Sequence, residues 1–191
     1  DGALSFIGTK NPLLKPQDLS EVRYIEYPTR DGREVAGYLT VPKGDEPHPL
    51  IVLPHGGPFV AEVVGYDEWG QFLANHGYAV LQPQYRGSLG YGLEHWQTAY
   101  GEGGLKMQDD KDDGALWLVE QGFADKDRLA MFGWSYGGYA AAVAASRDPN
   151  IYQCTIAGAA VVDGNMQLNY YRDGLLPASE YWELKRREGV Q

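Results

Sequence analysis

The sequence predicts an α/β fold, a mostly parallel sheet with helices on both faces and an antiparallel hairpin at its start. Three observations carry this expectation. Two alternating segments meet at Asp31-Gly32, a hairpin signal. Downstream, short continuous apolar runs alternate with segments of helical periodicity, as in parallel sheets covered on both sides. One of those runs ends in Gly133-Trp134-Ser135-Tyr136-Gly137, a G-x-S-x-G turn leading into a small-residue helix.

Residues 1–20 have weak periodicity and contain two prolines, and read as a connector from a preceding domain. The hairpin strands are VRYIEYP (22–28) and REVAGYLTVP (33–42). PLIVLPHGG (49–57) is apolar and closes on Pro and Gly, as a strand buried on both faces does. DEWGQFLANHG (67–77) has helical spacing and stops at Gly77. YAVLQPQY (78–85) is a further buried strand, followed by the glycine-rich loop RGSLGYG (86–92) and a short helix on which His95 is expected to face solvent. LKMQDDKDDGALWLVEQG (105–122) is an amphipathic helix with its acids at the front, where the helix dipole favours them. RLAMFG (128–133) is a strand, 136–147 a helix, and QCTIAGAAVV (153–162) a strand that should bury Cys154 as a small core residue. The tail from Gln167 is partly helical. Sites in such sheets form at the carboxyl ends of the strands, and Ser135 directly follows one.

Composition narrows the function. The 191 residues suffice for one domain, 43% hydrophobic and 22% charged. The net charge of −10 argues against nucleic acid as a partner. No apolar run approaches a membrane span. A single cysteine excludes an internal disulfide and a cysteine-based zinc site. No feature fixes the compartment, with the cytoplasm the favoured reading. Asp109, Asp113, Gly114 and Glu120 mimic a calcium loop, but Lys111 stands where an oxygen ligand is required and the stretch has a helix's apolar face. GSLGYG (87–92) lacks the dinucleotide fingerprint's order, so neither a metal nor another cofactor is expected.

The glycines around Ser135 have a chemical reading. In a strand-to-helix turn this tight, the residues two positions either side crowd the serine, and a side chain there would clash. The hydroxyl is held out at the sheet edge, where a helix N-terminus favours developing negative charge. Acyl transfer also needs donors for the oxyanion. In this arrangement one is the N–H after the nucleophile, here Tyr136, and another comes from a loop of HGG type, as in LPHGGP (53–58). Gly56 and Gly57 let that backbone approach a substrate closely.

Together HGGP (55–58), YRGSLGYG (85–92), ADKDRLAMFGWSYGGY (124–139) and AGAAVVD (157–163) resemble the catalytic domain of the prolyl oligopeptidase family of serine peptidases, over about residues 21–165. The resemblance implies an α/β-hydrolase fold over 21–191, and a preceding β-propeller joined through residues 1–20. It implies Ser135 as nucleophile and the Tyr136 and Gly57 amides as the oxyanion hole. Phe59, the Tyr136 side chain and Val161 would line the pocket for the residue before the scissile bond. AGAAVVD is more similar to acylaminoacyl-peptidases, while GWSYGGY is shared with dipeptidyl peptidases.

A serine nucleophile needs a base and an orienting acid. His48, His55, His76 and His95 all precede Ser135, whereas in the family both partners follow it at a distance beyond this chain's end. Asp163, at the end of a strand, is the position where some α/β-hydrolases place the acid, though the family does not. The expectation is a peptidase segment without its acid, histidine and last strands, inactive alone. Its partners would be a peptide substrate and the rest of its polypeptide or another chain, including a second copy. A carboxylesterase and a non-catalytic binding module are the alternatives.

Overall fold

The computed structural model describes residues 11–174. The first half of the expected connector and the basic run LKRREG (184–189) lie outside them.

Asp31 and Gly32 reverse the chain between β1 (Glu21–Pro28) and β2 (Glu34–Val41), with Thr29 N–H donating to the Arg33 carbonyl. β3 (His48–Val52) leads through the HGG loop to α1 (Glu68–Asn75), capped by the Asp67 carboxylate, which accepts from Gly70 N–H at 2.6 Å. β4 (Ala79–Pro83) is followed by the short α2 (Leu93–Gln97) and the long α3 (Lys106–Glu120). β5 (Ala124–Trp134), α4 (Tyr136–Ser146), β6 (Cys154–Gly158) and α5 (Gly164–Gly174) complete the chain order.

The six strands form one sheet in the order β1-β2-β4-β3-β5-β6. β1, β2 and β4 pair antiparallel, and β4, β3, β5 and β6 are parallel. This is the expected α/β class, with the hairpin extending one edge.

Alternation along β4 separates the faces. Leu81 points at α3, where a Cβ on Gly114 would lie 2.9 Å from its Cδ2, while Gln82 points at α1, against Gly70. The main core, including Tyr27, Leu50, Val52, Leu81, Leu118 and Met131, fills the sheet and its cover. A smaller cluster of Tyr85, Ala99, Met107 and Tyr136 lies beside the serine turn.

Two expectations are corrected. Cys154 is exposed, because among the described residues β6 pairs on one edge only and just one of its faces meets a helix. His95 is buried, its Nε2 3.1 Å from the Gln84 and Tyr85 carbonyls, because α2 folds back over the loop after β4. The acids of α3 do more than complement its dipole. Asp110, Asp112 and Asp113 are buried against arginines from three other segments.

Candidate active site

β5 ends at Trp134 and α4 begins at Tyr136, so one residue makes the entire turn. Ser135 takes φ 58° and ψ −118°, a conformation that L-residues rarely adopt and that typically costs about 1–3 kcal/mol. Its amide donates to the Gly158 carbonyl at 3.0 Å, and its carbonyl accepts from Tyr139 N–H at 3.0 Å. The flanking glycines are required by packing. A Cβ on Gly133 would run into the Gly137 peptide, one on Gly137 into the Pro54 carbonyl, and one on Gly138 into the Gly158 carbonyl. The residue remains half-buried, at the N-terminus of an 11-residue helix whose dipole favours negative charge there.

The HGG loop meets this turn. A Cβ on Gly56 would lie 3.4 Å from Ser135 Cβ and 3.9 Å from Oγ. Gly57 is exposed with φ 111°, next along the chain. The loop is held from behind. The Tyr85 hydroxyl donates to the His55 carbonyl at 2.8 Å, and the Tyr85 ring stacks on the imidazole with centroids 4.4 Å apart. His55 Nδ1 is 2.7 Å from the Gly56 carbonyl and Nε2 is 2.8 Å from Ser88 Oγ. Burial pushes the His55 imidazole down to about 4, so it is neutral at neutral pH and its nitrogens serve the loop.

The other histidines are placed elsewhere. His48 packs edge-on against Phe123, His76 caps α1 with Nδ1 2.7 Å from the Phe72 carbonyl, and His95 is buried against main chain, which lowers its pKa. The Asp163 carboxylate accepts from Met166 N–H at 2.9 Å and so caps α5.

Phe59 and Tyr136 come together. Both pack in the Tyr85–Met107 cluster, with the Phe59 ring edge-on to Trp96 and Tyr100. The Tyr136 side chain is buried, its hydroxyl 3.2 Å from Met107 Sδ, so it forms the base of that cluster. Val161 stands apart, on a cavity of about 480 Å³ between the β6 exit and α5 that includes Val162, Met166 and Tyr170 but neither Phe59 nor Tyr136.

Sequence reasoning missed the support behind the loops. Arg86 is 2% exposed, and its guanidinium binds both Asp110 oxygens at 2.6 and 2.9 Å and both Asp31 oxygens at 2.9 and 3.1 Å. This pins YRGSLGYG to α3 and to the hairpin turn. Arg30 holds Asp113 at 2.7 Å, and Arg147 holds Asp109 and Asp112 at 2.7 Å. The available signal was the crowding of Asp109, Asp110, Asp112 and Asp113 on one stretch of helix, a charge density that calls for cationic partners. Among the described residues no group of three or more His, Cys, Asp or Glu side chains is placed to hold a metal.

Comparison with known proteins places this geometry in context. The prolyl oligopeptidase family matches residues 66–187. The dipeptidyl aminopeptidase BIII of Pseudoxanthomonas mexicana is 36% identical, over 98% of this chain and 28% of its own length. Dipeptidyl peptidase family member 6 of Caenorhabditis elegans is 32% identical, over 79% of this chain and 23% of its own. A crystal structure of puromycin hydrolase superposes with a TM-score of 0.80 at 28% identity, covering 94% of this chain and 28% of that one. An acylaminoacyl peptidase in complex with Z-Gly-Gly-Phe-chloromethyl ketone superposes at 0.76 and 25% identity, over 91% of this chain and 27% of that one. The chain therefore spans less than a third of these relatives.

Proposed function

We propose, since this chain belongs to the prolyl oligopeptidase family, that it carries the nucleophile and oxyanion hole of a serine peptidase cleaving short peptides of dipeptidyl or acylaminoacyl type. The observation that carries this reading is the strained, half-buried Ser135 at the head of α4 with Gly56 packed against it. Ser135 Oγ attacks the scissile carbonyl carbon and loses its proton to a base. The carbonyl oxygen becomes an oxyanion facing the Tyr136 and Gly57 amides. Collapse breaks the C–N bond, the amine leaves with the proton, and water then releases the acyl group from Ser135.

None of the four histidines is placed as that base. The His55 ring serves the loop, and the other three are engaged elsewhere. The base and its acid are supplied by the remainder of the polypeptide, which also covers the exposed Ile156 of β6, so the 191-residue chain alone is a poor catalyst and associates. Phe59 and the buried Tyr136 form an apolar base for the residue before the scissile bond, while Val161 lines the separate cavity beside α5.

Active-site-directed fluorophosphonate labelling tests this. The full-length protein is expected to label rapidly at Ser135, and Ser135→Ala to lose labelling and about 10⁶-fold in turnover of dipeptidyl or acylaminoacyl anilides. Unchanged turnover in Ser135→Ala refutes the nucleophile. Equally rapid labelling of the isolated chain refutes its dependence on the remainder.

A further inference from the structure

Lys111 is an unusual neighbour for an active site. It is 1% exposed and forms no ion pair among the described residues. Its Nζ donates to the Met107 carbonyl at 2.6 Å, one helical turn back. The same nitrogen stands 3.6 Å from the centroid of the Tyr85 ring and 5.7 Å from that of Tyr136. These two rings lie nearly parallel, 6.1 Å apart.

Each ring belongs to one half of the oxyanion hole. Tyr85 stacks on His55 and binds its carbonyl, two residues before Gly57. Tyr136 supplies the other amide. One ammonium therefore sits on the anchor of one donor and within cation–π range of the ring beside the other. A desolvated cation on an aromatic face is held strongly, because no water competes for it. Such a contact fixes two loops relative to each other more firmly than an apolar side chain of the same length.

We propose that Lys111 is a positioning residue for the oxyanion hole: its ammonium, seated on Tyr85 and within reach of Tyr136, sets the 55–57 loop and residue 136 relative to one another and adds positive potential on their buried side. This rests on the reading of Ser135 as nucleophile.

The charge is poised to titrate. Burial is the largest influence and draws the amine down to about 7. Asp110 and Asp112 on α3 favour the ammonium, while Arg147 from beyond α4 and Arg86 from the loop after β4 oppose it. His55 on the oxyanion loop faces the same charge, which helps keep its imidazole neutral, and the Tyr85 and Tyr136 rings complete the surround. Above pH 7 the ammonium loses its proton and the attraction to both rings with it, so turnover falls on that side.

The test uses the full-length protein and an anilide substrate, with fluorophosphonate labelling in parallel. Removing a direct oxyanion donor typically loses about 10²–10³ in turnover, so a residue acting through two anchors is expected to lose about tenfold. Lys111→Met should lower kcat by about that factor, leave KM within about twofold, slow labelling in proportion and abolish the alkaline fall near pH 7. Lys111→Arg keeps the charge, so kcat should recover most of the loss and the fall should move above about pH 9, since the guanidinium does not deprotonate there. A Lys111→Met enzyme with wild-type kcat and pH profile overturns the proposal. Should that variant not fold, the wild-type and Lys111→Arg profiles decide: superimposable profiles overturn it, and a displaced alkaline fall supports it. Ser135→Ala separates the two readings, because its loss of turnover alongside an indifferent Lys111 removes only the present inference.

Discussion

β4 and β6 are both five-residue strands drawn from apolar stretches, yet they live in opposite surroundings. Every residue of β4 is buried. It has a strand on each edge, α3 over one face and α1 over the other. β6 has no fully buried residue, with Ile156 54% exposed and Cys154 in solvent. Among the described residues its only strand neighbour is β5, and α4 covers one face. The open face continues into Trp134, 56% exposed on the same side of the sheet as Phe132 and Trp69. Fully burying an isoleucine is worth about 1.5–3 kcal/mol, which β4 residues collect and Ile156 does not. The apolarity of a strand thus records the burial it is built for, and the two strands differ in how much of that burial these residues supply.

Substitutions on the two sides should separate sharply. Asp110→Ala leaves the buried Arg86 guanidinium without its best partner, and breaking a buried pair from one side costs about 3–5 kcal/mol, read as a lower urea midpoint. Leu81→Ala opens a cavity between β4 and α3 and should lose about 2–5 kcal/mol in the same measurement. Ile156→Ala should stay within about 0.5 kcal/mol of the parent in the 191-residue chain. A loss there equal to that of Leu81→Ala would mean that β6 is covered in solution, and the contrast would collapse.

A further expected effect is a pH dependence confined to the α3 side. The folded Lys111 amine sits at about 7, below its unfolded value of 10.5. Between those values the unfolded chain binds more protons, so this group makes stability rise with pH from about 7 to about 10. Buried Tyr27 and Tyr152, held well above 10, act in the opposite sense only beyond that window. Urea midpoints taken from pH 7 to 9.5 should climb in the parent and flatten in Lys111→Met.

Local signals made much of this legible. Asp31-Gly32, Gly77 and Gly122 mark turns where the structure has them, all three glycines at positive φ. The serine turn, its glycines and the approach of the HGG loop follow from steric rules that act over a few residues. What escaped depends on distant partners. His95 and Cys154 were misjudged because burial is decided by what folds over a residue, a short helix in one case and nothing in the other. The acids of α3 find their partners in Arg30, Arg86 and Arg147, which lie 83, 24 and 35 residues away in the chain from Asp113, Asp110 and Asp112. Phe59 and Tyr136 fall together while Val161 lines another cavity, because the β6 exit turns toward α5.

The amide of Ser135 is tied to the Gly158 carbonyl, and Gly138 packs against the same oxygen. β6, the outermost strand among the described residues, is therefore yoked to the proposed nucleophile by main chain alone, with no side chain to absorb slack. A pull on the open flank of the sheet would pass directly to the backbone of Ser135, so the strand and the serine turn form one mechanical linkage.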